Sequence, residues 1–111
     1  MVPVPRKPVS QVEFVEDYLQ LVFQDERFNF YDVEEVASDQ RLLTRGQPGF
    51  CDALVDLIGE RAVSVALGDT AELTLVFDGG SALRARQGSA TGPEAWQFCG
   101  ADGQIIVGGA S

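Results

Sequence analysis

The chain has no histidine. Histidine is the only side chain whose unperturbed pKa puts its charge change near neutrality, and it is the commonest metal ligand. Its absence excludes Ser-His-Asp and Cys-His catalysis, zinc sites with imidazole ligands and a histidine pH switch. Cysteine is scarce: Cys51 and Cys99 are too few for a four-thiolate zinc site and too far apart for a Cys-x-x-Cys redox motif. They read as two reduced, buried thiols in a cytoplasmic protein, with a disulfide between them as the alternative. The single lysine, Lys7, follows no glycine-rich loop, so a Walker phosphate loop is excluded. No apolar run approaches the roughly 18 residues of a membrane span. The N-terminal Met1-Val2-Pro3-Val4-Pro5-Arg6-Lys7-Pro8 also lacks the apolar stretch of a secretory signal.

Positive charge is likewise in short supply. Eight Lys and Arg stand against 17 Asp and Glu, for a net charge of -9. Nucleic acid and anionic membranes are bound through basic patches, so neither is an expected partner. The 45% of apolar residues is too high for a disordered chain, and 111 residues suit one domain. Three of the five prolines fall within residues 1–9, which read as a flexible, solvated arm. One α+β domain is expected over residues 10–107, followed by a frayed tail at 108–111.

Within that domain apolar residues mostly alternate, the period of a half-buried strand. Val12 and Phe14 alternate first, then Leu19, Leu21 and Phe23, then Phe28 and Phe30. Three such strands joined by polar turns predict an antiparallel meander. The acidic stretch from Asp32 to Arg45 yields only a short strand at 41–44. Pro48 and the stripe Phe50, Cys51, Leu54, Val55, Leu57, Ile58 predict a helix at about 48–58, with Gly59 as a left-handed cap. Alternation resumes at Val63, Val65 and Leu67, at Leu73, Leu75 and Phe77, and at Leu83 and Ala85, with Asp78-Gly79-Gly80 as a hairpin turn. After a loop at 88–93, Trp96 and Phe98 and then Ile105-Ile106-Val107 give two last strands. The expectation is α+β: one mostly antiparallel sheet built from two β-meanders, with the helix packed on it. Leu19-Gln20-Leu21-Val22-Phe23 and Leu73-Thr74-Leu75-Val76-Phe77 share the pattern L-x-L-V-F. That is either an internal duplication or the coincidence of two amphipathic strands.

The polar inventory is dominated by carboxylates. The first forty residues hold nine of them against three cations, a surplus suited to steering a basic partner. No pair is placed in a sugar-sized cleft as glycosidase chemistry requires. Asp32-x-Glu34-Glu35 lacks the glycine of an EF-hand loop. No catalytic, metal or cofactor-binding residues are therefore assigned, and no cofactor is expected. Arg84 and Arg86 share a strand face and are expected to pair with acids on a neighbouring strand, anion binding being the alternative. Trp96 reads as core, with an exposed binding anchor as the alternative. Tyr18 and Tyr31 fall opposite the apolar faces of their strands. With Val22, Asn29, Glu16 and Asp17 they predict a partly apolar patch with an acidic rim, the anatomy of a protein-binding surface.

Four segments, Val15-Glu16-Asp17-Tyr18-Leu19-Gln20-Leu21, Gly49-Phe50 through Leu57-Ile58-Gly59, Leu75-Val76-Phe77-Asp78-Gly79 and Gly92-Pro93-Glu94-Ala95, resemble small bacterial proteins, some of which accompany toxins as immunity proteins. The resemblance spans residues 10 to about 98 and implies a bacterial source and a binding role, with no catalytic residues to transfer. The expected function is non-catalytic binding of another, basic protein, with Asp17, Tyr18, Tyr31, Glu34 and Glu35 as contact residues. The alternatives are a structural homodimer and a small-ligand carrier or carboxylate-based enzyme.

Overall fold

The structure is a computed structural model that describes residues 2–16, 18–31, 33–38, 40–68, 72–86 and 95–108. Among the described residues, ten strands and one short helix follow in the order β1 (Gln11–Phe14), β2 (Leu19–Phe23), β3 (Glu26–Phe30), β4 (Val33–Ser38), β5 (Arg41–Thr44), α1 (Phe50–Val55), β6 (Ala62–Leu67), β7 (Leu73–Phe77), β8 (Ala82–Arg86), β9 (Trp96–Cys99) and β10 (Ile105–Gly108). They form two antiparallel five-stranded sheets, not the single sheet that the two meanders imply. The first sheet runs β1-β2-β3-β9-β10 and the second β5-β4-β8-β7-β6. Each meander builds three strands of one sheet, and the following hairpin crosses to complete the other. The predicted loop at 88–93 and the tail from 109 onward lie outside the described residues.

The two sheets share one plan. Adding five to each strand of the first, and counting round from ten to one, gives β6-β7-β8-β4-β5, the second sheet read from its other edge. The registers agree as well. The central inward row of the first sheet is Val12, Leu21, Phe28, Phe98, Ile106, and its counterpart is Val65, Leu75, Leu83, Val36, Leu43. Both L-x-L-V-F segments are thus second strands of equivalent meanders. Their terminal rings, Phe23 and Phe77, stack across the core with centroids 6.4 Å apart and planes 2° from parallel. Alternation drives this packing: Leu19, Leu21, Phe23, Leu73, Leu75 and Phe77 are all buried, which removes apolar area from water at about 25 cal/mol per Å².

Three local expectations need correction. The proline-rich start is no solvated arm, because Val2 and Val9 are buried in the core. Val9 also accepts from the Gly59 amide and donates to the Glu60 carbonyl, and Arg6 donates its amide to the Glu26 carboxylate. The helix is only six residues long and buries Phe50, Ala53 and Leu54, while Val55 and Ile58 are 49% and 47% exposed. A single turn and a half cannot bury a wide stripe, so the chain leaves it through turns that end at Gly59, with φ +93°, as the cap signal implied. Finally, Cys51 is exposed and Cys99 half-buried, both as free thiols.

Candidate functional site

Burying one face of each strand of the first sheet fixes what the other face presents. With Leu19, Leu21, Phe28, Phe30, Trp96 and Phe98 turned inward, Gln20, Val22, Arg27, Asn29, Gln97 and Cys99 line the outer face. The register sets Gln20, Asn29 and Gln97 directly opposite one another across β2, β3 and β9. Their amides join in series: Gln20 Nε2 donates to Asn29 Oδ1 at 2.8 Å, and Asn29 Nδ2 donates to Gln97 Oε1 at 3.1 Å. The same Gln97 oxygen accepts from the Tyr31 hydroxyl at 3.2 Å. Asn29 is thereby buried with both ends of its amide satisfied.

Tyr31 and Tyr18 lie one step beyond this ladder and pack ring to ring, with centroids 5.5 Å apart and planes at 45°. Both are half-buried, a geometry that fixes each ring and leaves part of it to solvent. On β10, Ile105 and Val107 extend the face and are 62% and 53% exposed. The strand residues of this face include one acid, Glu13, and one base, Arg27, so its formal charge is zero on a chain of -9. Glu16 is exposed beside Tyr18, while Asp17 lies outside the described residues. Sequence alternation puts Tyr18, Tyr31, Val22 and Asn29 on one face; there the two tyrosines meet, Tyr31 and Asn29 share Gln97, and Val22 lies farther along, opposite Arg27. The amide ladder escapes it, because strand order within a sheet has no local signal and β9 enters from the other half of the chain.

Glu34 and Glu35 occupy a different place from the one expected of contact residues. They are buried in β4, at 3% and 6% exposure, and point to opposite faces of the second sheet. Glu34 faces inward and pairs with Arg45 at 3.0 Å, whose other terminal nitrogen donates to the Val15 carbonyl at 2.7 Å. Glu35 faces outward and accepts from Arg84 Nε and Nη2 at 2.9 and 2.7 Å. Arg84 thus pairs with a neighbouring acid as its strand position predicts. Acid density hides β4 from sequence reasoning, since strands are usually depleted of Glu and Asp.

A depression of about 300 Å³ beside the β9–β10 turn includes Arg6, Glu26 and Asp102, and one of about 200 Å³ on the outer second sheet includes Leu42, Ala82 and the Glu35–Arg84 pair. No group of three His, Cys, Asp or Glu side chains able to hold a metal gathers among the described residues. No helix among them is long and apolar enough to cross a membrane.

Comparison with family models, curated proteins and solved structures returns no match. The resemblance to immunity proteins thus finds no counterpart in these comparisons. Of its four segments, three include residues of β2, α1 and β7, while Gly92, Pro93 and Glu94 of the fourth lie outside the described residues.

Proposed function

We propose that this chain is a non-catalytic protein-binding module whose contact surface is the outer face of the first sheet, centred on Tyr18 and Tyr31. The observation that carries this reading is the tyrosine pair set beside the Gln20–Asn29–Gln97 ladder. Two fixed aromatic rings and a pre-ordered row of amides cost little entropy on association, and tyrosine is enriched among binding hot spots. The arginine partners of Glu34 and Glu35 favour a structural task for those carboxylates over acid–base work.

The finer form of the reading is an immunity- or inhibitor-type protein for a basic partner. Net charge -9 steers such a partner toward the molecule, with exposed Glu13 and Glu16 beside the tyrosines. Capture of candidate basic proteins in low and high salt tests it. Binding should weaken steeply with salt, and retention undiminished at about 1 M would contradict charge-led recognition. Tyr18→Ala and Tyr31→Ala should each weaken binding by on the order of tenfold or more. If both substitutions leave affinity unchanged, the contact surface lies elsewhere.

A further inference from the structure

Among the described residues each of the two sheets ends in two edge strands, and three of these four edges carry a recognised guard against pairing with another chain. β1 has Glu13 and β5 has Arg41, while β6 is broken by a register shift between Ala62 and Ser64. β10 has no charge and keeps an unbroken register with β9 along its length. Gly100 and Ala95 donate to the Gln104 and Gly108 carbonyls, so these alternate residues turn their backbone toward β9. Ile105 and Val107 therefore point their N–H and C=O groups outward, away from the sheet. Their side chains are the exposed ones on the outer face, and Ile106 packs against the core without being fully covered.

We infer that β10 pairs antiparallel with β10 of a second copy of this chain, joining the two first sheets into one ten-stranded sheet. A twofold axis at Ile106 sets Ile105 opposite Val107 of the second copy and closes four backbone hydrogen bonds from the outward groups. It sets Ile106 against its own counterpart on the inner side. Charge selects this occupant. Two molecules of net charge -9 repel wherever acids meet, and Gln104–Gly108 is uncharged on a face that is itself neutral. Asp102, the acid nearest to β10 along the sequence, is carried by the axis to the far end of the joined strands. The two tyrosine faces would then lie on one continuous surface, but the pairing does not depend on any other partner.

Sedimentation of the purified full chain across a concentration series reads this directly. The expected result is a monomer–dimer equilibrium that tightens as salt rises, the reverse of the trend for a basic partner. Ile105→Lys and Val107→Pro should each raise the dimer dissociation constant at least about tenfold. Val107→Pro removes an N–H that faces away from β9, and far-UV circular dichroism with Trp96 fluorescence verifies that each variant is folded. Leu42→Lys on β5 and Val63→Lys on β6 should leave the dimer intact. A wild type that remains monomeric up to about 1 mM overturns the inference. So does a dimer indifferent to both β10 substitutions, or one dissolved by Val63→Lys instead. A dimer whose β10 is competed away by an added extended peptide of the same segment supports it.

Discussion

Glu34 stands where the first sheet has Trp96. In equivalent registers Trp96 lies opposite Phe30 and Gly108, with its indole against the Gly108 backbone, whereas Glu34 lies opposite Ala85 and beside Arg45. A side chain at Gly108 would collide with the Trp96 ring, so glycine there is a packing requirement. Truncating Arg45 takes a charge-assisted hydrogen bond away from a buried carboxylate, and weakening such a pair in low dielectric is costly. Because Arg45 itself is 35% exposed, part of that cost is relieved by water. Arg45→Met should destabilise by about 1–3 kcal/mol in urea unfolding. The double replacement Glu34→Met with Arg45→Met should recover most of that loss, since it removes the buried carboxylate together with the cation that pairs with it. If the double variant is as unstable as the single one, the ion pair is not what this site requires. The Phe23–Phe77 stack gives a second test. Either ring replaced by alanine leaves a large void between the sheets and should cost about 3–5 kcal/mol.

At the level of elements, period-2 alternation discloses most strands and their inward sides, since burying one face leaves a plain trace in residues such as Leu73, Leu75 and Phe77. It fails where that trace is overwritten. Glu34 and Glu35 give β4 the look of a solvated loop, although Arg45, in the turn after β5, and Arg84, on β8, pair with them. The helix shows the opposite error: seven apolar residues in eleven suggest a long buried stripe, yet only the first turn and a half is helical. The sheets' pairing is invisible locally, so two sheets read as one and Gln97 joins the candidate site unannounced. α1 offers a sharp check. Leu54→Ala, at a fully buried position, should cost about 2–5 kcal/mol. Val55→Ala, its exposed neighbour, should fall within about 0.5 kcal/mol of wild type. Equal losses at the two positions would mean that the helix is rotated from the orientation described.

Across the whole molecule, the exchange of hairpins between halves binds the two sheets into one cooperative body. β3 is flanked by β9 and β8 by β4, so neither half holds a complete sheet of its own. Unfolding followed by Trp96 fluorescence and by far-UV circular dichroism should superimpose, because no half can melt while the other persists. Separated midpoints would instead mark the sheets as independent units. The same layout bears on how the molecule is made. A nascent chain finishes its first meander early, but Phe28 must wait for Phe98, seventy positions later, before its strand gains a second neighbour. Such distant pairings are slow, and unpaired strands attract aggregation and chaperones in the interval. Translation speed through the second half therefore sets how long the newborn polypeptide remains open to misassembly.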